Sequence, residues 1–176
     1  MFDSFKKVIT EFIIRKKLKH SRSAKQSFKN FFKDSSLFLV LMPEGEREFH
    51  LAVDMLKWYD EQGKSIKIFT HDYRVSLLPP KYHSRVIDYN LKDINRFSLP
   101  SKSLETRLHS LEFDAVLDLN KEENLFNSLA ANLVKAPVRV GFKKKNSDIY
   151  YNLQVADSDN NPEIFYKNFL NCLQMF

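Results

Sequence analysis

Beyond Ser35 the chain repeats one pattern: a short β-rich apolar run, a turn, then a longer stretch with helical spacing. Consecutive units of this kind build parallel sheets, because two strands running the same way need a crossover between them and a helix supplies it. The first run, Leu37-Phe-Leu-Val-Leu-Met42, is apolar at every position, as a strand covered on both faces requires. The fold class that follows is α/β. It is a single Rossmann-like three-layer domain with a mostly parallel sheet, preceded by a basic N-terminal helical extension.

Pro43-Glu44-Gly45 ends the first strand. The spacing then predicts a helix over 46–62, with Phe49, Ala52, Val53, Leu56 and either Trp58 or Tyr59 inward and Gly63 as its stop. Further strands are predicted at 65–70, 85–89, 113–119, 138–142 and 149–155, with a short helical turn at 72–78 closed by Pro79-Pro80. The segment 90–103 is polar, contains Pro100 and lacks a period, so it reads as a long connection before a helix over 104–111. Two more helices are expected. One covers 123–135 with Leu125, Leu129, Ala130 and Leu133 inward; the other opens at Asn161-Pro162 and carries Ile164, Phe165, Phe169, Leu170 and Leu173 along one side. Lys143-Lys144-Lys145-Asn146 reads as a charged loop.

Charge divides the chain at the same boundary. Residues 1–34 carry ten bases (Lys6, Lys7, Arg15, Lys16, Lys17, Lys19, Arg22, Lys25, Lys29 and Lys33) against Asp3, Glu11 and Asp34, a net of +7. The other 18 bases and 19 acids nearly cancel, so the whole +6 resides in the leader. There Phe2, Phe5, Val8, Ile9, Phe12 and Ile13 recur at three- and four-residue spacing, which predicts an amphipathic helix capped by Asp3 or Ser4. A break near residues 20–23 and a short helical piece with Phe28, Phe31 and Phe32 follow. The expected organisation is a basic extension over 1–34 and a domain over 35–176. Such an arm calls for an anionic partner, either membrane phospholipid or RNA in a ribonucleoprotein, with Phe28, Phe31 or Phe32 available for base stacking in the second case. The competing expectation is that the apolar stripe packs on the domain, on another protein or on a twin subunit.

Several function classes drop out. Cys172 is the one cysteine, so no intrachain disulfide forms, and a reducing cytoplasmic location is expected, at the inner face of the membrane if the arm docks there. No apolar run approaches the roughly 20 residues of a membrane span. Lys6, Lys7, Glu11 and Arg15 interrupt the N-terminal apolar positions, so no signal peptide is expected. With three glycines in all and neither GxGxxG nor GxxxxGK[ST], a backbone cradle for phosphate is disfavoured and no cofactor is expected. The five histidines, His20, His50, His71, His83 and His109, show no helical ligand spacing, so no metal is expected.

Ligands on an open parallel sheet bind outside the carboxyl ends of its strands, at the switch point. The residues there are Glu44, Glu46, Arg47 and Glu48 after the first strand, His71 and Asp72 after the second, and Asn120, Lys121, Glu122 and Glu123 after the fourth. Glu44, Glu46 and Glu48 have the chemistry of a general base. A helix N-terminus also attracts acids through its dipole alone.

Three stretches carry a family resemblance: Phe113-Asp-Ala-Val-Leu-Asp-Leu-Asn120, Ser128-Leu-Ala-Ala131 and Lys135-Ala-Pro-Val-Arg-Val-Gly-Phe142. Together they resemble the "yDlviDl…a…lgap.riGf" signature of glycosyltransferase family nine, the ADP-heptose:lipopolysaccharide heptosyltransferases. The helix from Asn161-Pro-Glu to Leu173 is similar to the one that closes that family's first domain. The resemblance runs from about Leu37 to the C-terminus and implies the acceptor-side half of a GT-B architecture.

In that family a Gly-Asp pair at the first helix start supplies the carboxylate that activates the acceptor hydroxyl; the matching pair here is Arg47-Glu48. The resemblance thus implies Glu48 as catalytic base and Glu44, Asn120 and Lys121 as substrate-binding residues. The extra methylene displaces the carboxylate by more than about 1 Å, enough to lose much of the positioning benefit. The donor-binding second domain has no expected counterpart in these residues. The expected function is therefore a non-catalytic binding or scaffold protein, a pseudoenzyme on a heptosyltransferase-like half-domain attached by its basic arm to an anionic partner. The alternative is an acceptor-binding glycosyltransferase subunit, for hexosyl or heptosyl transfer, that works with a separate donor-binding chain.

Overall fold

The structure, a computed structural model, describes residues 2–18, 28–156, 159 and 161–176, with side chains from Lys7 onward. Six strands form one sheet: β1 (Leu37–Leu41), β2 (Ser65–His71), β3 (Val86–Tyr89), β4 (Ala115–Asp118), β5 (Val138–Phe142) and β6 (Leu153–Val155). Their order is β3-β2-β1-β4-β5-β6 and every neighbouring pair is parallel. The chain works outward from β1 through β2 to β3, then returns to β4 on the other side. The switch point therefore lies between the carboxyl ends of β1 and β4.

Helices α1 (Phe2–Leu18), α2 (Phe31–Asp34), α3 (Glu46–Glu61), α4 (Lys102–His109), α5 (Leu125–Leu133) and α6 (Pro162–Gln174) cover both faces. Alternation along the strands divides the core. Phe38, Val40, Ile66, Ile68, Leu117 and Val140 face α2, α3 and α6. Leu39, Leu41, Phe69 and Val116 face α1, α4 and α5. All the expected inward residues of α3 are buried, with Tyr59 rather than Trp58 in the core position and Met55 added.

Local chemistry sets the boundaries. Asn124 Oδ1 accepts from Asn127 N at 2.9 Å, so α5 starts at Leu125 rather than 123. Ser101 Oγ accepts from Leu104 N at 3.3 Å and starts α4 two residues before the expected position. The connection before it is ordered by side-chain turns: Asn90 makes a capping box with Asp93, and Asn95 Oδ1 accepts from Phe97 N and Leu99 N. The last strand is shorter than the expected 149–155. Ser147–Ile149 forms a 3₁₀ turn, and Tyr150 and Tyr151 turn into the core before β6 begins.

The leader helix packs on the domain. Ile14 and Leu18 enter the core beside α4 and α5. Thr10, one turn earlier, is buried and donates its hydroxyl to Phe97 O at 3.2 Å. Lys7 pairs with Glu123 and Lys17 with Glu105. The apolar positions that spacing grouped together do not share one face, because the inward row is Thr10, Ile14, Leu18; Val8 and Phe12 point outward, 63% and 67% exposed. The stacking role expected of Phe31 and Phe32 is corrected. Both are buried, and Phe32 stacks on Trp58 with centroids 5.4 Å apart and packs against Phe38. Phe28 is half-buried against the same cluster. Of the arm's bases, Lys7, Arg15, Lys16, Lys17, Lys29 and Lys33 are exposed. Lys19, Arg22 and Lys25 lie outside the described residues, as does the side chain of Lys6.

Candidate functional site

The carboxyl edge at the switch point holds a cavity of about 370 Å³. Its walls come from three directions: Glu44 after β1, residues Glu123 to Phe126 after β4, and Phe97 with Ser98 from the ordered loop. Helix α1 forms the remaining side with Lys7 and Thr10, so the basic leader narrows the crevice in which a sheet of this order holds its ligand. Aromatic rings back the wall. Phe126 packs on Tyr89 at 4.6 Å and Tyr89 stacks on Phe69 at 4.9 Å between centroids. Burial raises the Tyr89 hydroxyl's pKa, and the nearby Glu44 charge adds to the shift.

Behind the cavity lies a buried ionic hub. Asp118, the last residue of β4, is fully buried. Its Oδ1 accepts from the backbone N of Asn120 at 2.9 Å and from Asn120 Nδ2 at 2.7 Å. Its Oδ2 accepts from the Tyr151 hydroxyl and lies 3.8 Å from Lys144 Nζ. Because the one Tyr151 proton goes to Asp118, Ser128 Oγ is the donor across its 3.0 Å contact with the Tyr151 oxygen. Lys144 also donates to Asn120 O at 2.6 Å and Glu122 O at 3.1 Å, which holds the loop after β4 in place. Burial drives the Tyr151 pKa well above its ordinary value, and the adjacent Asp118 charge pushes the same way. A carboxyl group removed from water is costly unless hydrogen-bond partners replace the water.

The ring of Tyr151 reaches the hub by lying flat on β5. An added Cβ at Gly141 would meet three ring atoms of Tyr151 at 2.9 Å, closer than packed carbons come. Only glycine leaves that space.

The expected site residues do not all line the cavity. Glu44 lines the cavity. Glu48 turns back on its own helix start, where a Cβ on Gly45 would overlap its carboxylate, and its charge acts on Tyr166, whose pKa is raised mainly by burial. Asn120 is buried and bonded to Asp118 and, at 3.3 Å, to Met42 O. Lys121 donates to Asp159 O and lies 4.3 Å over the Phe165 ring. Arg74 was not expected at the site; it donates to Pro43 O at 3.3 Å and to Glu44 O, and lies over the Phe49 ring, fixing the turn after β1. Among the described residues, Asn124 Nδ2 and Asn127 Oδ1 are buried at the crevice with no hydrogen-bond partner, and no group of His, Cys, Asp and Glu is placed to hold a metal ion. No described helix is long and apolar enough to cross a membrane.

The chain belongs to DUF6913, a family of unknown function, whose model matches residues 6–176. No curated protein matches it. Among solved structures it is similar to the E. coli heptosyltransferase WaaC with ADP-2-deoxy-2-fluoro heptose, at a TM-score of 0.59 and 15% identity over 78% of this chain and 48% of that one. The same enzyme with ADP gives a TM-score of 0.57 at 14% identity, over 77% and 47%. The chain thus spans about half the length of these enzymes. The six-stranded parallel sheet and its flanking helices match that half in fold, and the fold resembles the acceptor-side half of a heptosyltransferase.

Proposed function

We propose that this chain is a non-catalytic binding domain that keeps a glycosyltransferase-like half-fold as a scaffold and sits on an anionic surface through its basic N-terminal segment. The observation that carries this reading is the double use of α1. Its inner row, Thr10, Ile14 and Leu18, is buried in the domain, while Arg15 and Lys16 stay exposed on the outside and make no ion pair among the described residues. The charge of Arg15 and Lys16 is thereby presented at a fixed place on a near-neutral body, and such a patch attracts an anionic surface strongly at low salt.

The arrangement at the crevice points the same way. Asn120 and Lys121 hold the loop after β4 in place, and Glu48 lies against Gly45 at its helix start and does not line the cavity. Chemistry on a bound substrate requires such groups to converge on one reacting atom.

The test is binding of the full chain to phospholipid vesicles and to an RNA panel across a salt series, with an Arg15→Glu/Lys16→Glu variant beside it. Salt-sensitive binding to at least one of these, weakened by the variant, is expected. Failure to bind either, or binding indifferent to the charge reversal, overturns the proposal.

A further inference from the structure

We infer that the partner of the outer edge of α1 is the surface of an anionic lipid bilayer, with the helix lying in the headgroup plane while its inner edge remains packed on the domain. This deepens the anionic-surface reading and rests on it. Val8 and Phe12 stand one helical turn apart, 63% and 67% exposed, among the most exposed large apolar side chains described. Arg15 and Lys16 follow at the next turn of the same edge, both exposed. An apolar pair continued by bases along one helix edge suits an interface in which rings enter the acyl boundary and cations meet lipid phosphates.

Binding of unpaired RNA bases draws on aromatic faces for stacking. Of the leader's candidates for that, Phe31 and Phe32 are buried under Trp58, Phe38 and Phe176, and Phe28 is half-buried against the same cluster. Among the described side chains of the helix the exposed ring is Phe12, which sits beside an aliphatic neighbour that lipid accepts and base stacking does not use.

Docking does not require α1 to leave the domain. The residues that hold it, Thr10, Ile14, Leu18, Lys7 with Glu123 and Lys17 with Glu105, lie on the side away from Val8 and Phe12. Lys7 and Thr10 also form one wall of the crevice. That wall then lies within one helix diameter, about 10 Å, of the headgroups. The bilayer fixes the orientation of the switch-point cavity as well as the position of the chain.

The experiment is sedimentation of the full chain with phosphatidylcholine vesicles, with and without about one third phosphatidylserine. Recovery is expected with the anionic vesicles and not the neutral ones. Arg15→Glu/Lys16→Glu should lower partitioning by at least about twenty-five-fold, taking roughly fivefold per basic residue lost. Phe12→Ser should lower it about tenfold and leave binding to an RNA panel as it is. Amide exchange over residues 10–18 should be as slow on vesicles as in solution. Equal recovery with neutral and anionic vesicles, an indifferent Phe12→Ser variant, or faster exchange over 10–18 overturns the inference. Salt-sensitive RNA binding without vesicle binding overturns it while the anionic-surface reading stands; binding to neither removes both.

Discussion

Tyr151→Phe isolates one hydrogen bond of the buried hub. The ring stays on Gly141, and only the hydroxyl that donates to Asp118 Oδ2 and accepts from Ser128 is lost. Asp118 has no access to water, so nothing replaces the missing donor. The carboxylate keeps two bonds from Asn120 on its other oxygen and an ammonium group 3.8 Å away. A hydrogen bond to a charged group contributes about 1.5–3 kcal/mol, and the orphaned Ser128 hydroxyl adds to the loss. The expected cost is about 2 kcal/mol out of a total stability on the order of 5–15 kcal/mol. For a chain of this length that lowers Tm by roughly 4–8 °C. The assay is urea unfolding at pH 7 with an unchanged m-value, run on Tyr151→Phe, Asp118→Asn and the double variant. In the Asp118→Asn background the acceptor carries no charge, so removing the hydroxyl should cost at least about 1 kcal/mol less than it does in the native chain. A single-variant loss below about 0.5 kcal/mol, or a cycle in which the two losses simply add, refutes the coupling of Tyr151 to Asp118 in a buried hub.

Two further outcomes follow from neighbouring contacts. Gly141→Ala places a methyl group 2.9 Å from the Tyr151 ring and should destabilise by about 1–3 kcal/mol in thermal unfolding, with the near-ultraviolet tyrosine signal altered; a neutral substitution removes the close-approach argument. Asp114 accepts from Leu37 N and Ser36 N, each at 2.8 Å, and these backbone bonds hold its pKa below the ordinary 3.8. Its contribution to stability is whole above the unfolded value near pH 4 and disappears as pH falls through the lowered folded value, so Asp114→Asn should flatten the acid limb of a stability-against-pH curve. An acid limb of unchanged slope sinks that reading.

The parallel sheet was legible because both of its requirements are local. Continuous apolar runs such as Leu37 to Met42 announce burial on two faces, and the helices between them show their own period. The line of α3 was readable for the same reason, and Tyr59 settled in the core because it falls on the row of Ala52, Leu56 and Tyr59 while Trp58 lies to one side. The leader was half legible. A three- and four-residue period identifies a helix, but six apolar positions spread over too wide an arc to say which edge meets the domain; the structure selects the row that contains Thr10, whose hydroxyl finds Phe97 O.

The site was the least legible part, and the two aspartates of the 113–120 stretch show why. In the sequence Asp114 and Asp118 bracket an apolar strand and are parts of a family signature, with no partner for either one adjacent in the chain. In the structure Asp114 ties the start of β1 to β4 through backbone amides, and Asp118 collects Asn120, Tyr151 and Lys144 from as far as 33 residues away. Lys144 belongs to a run that reads as a charged surface loop, yet its side chain is 9% exposed because it serves that carboxylate and two carbonyls. The one local sign was an acid ending an otherwise apolar strand, since a carboxylate at a position buried on both faces has to bring its own donors. What the resemblance supplied as a signature is in this chain the frame of the switch point: one aspartate fixes where β1 enters the sheet, and the other fixes the loop that walls the crevice.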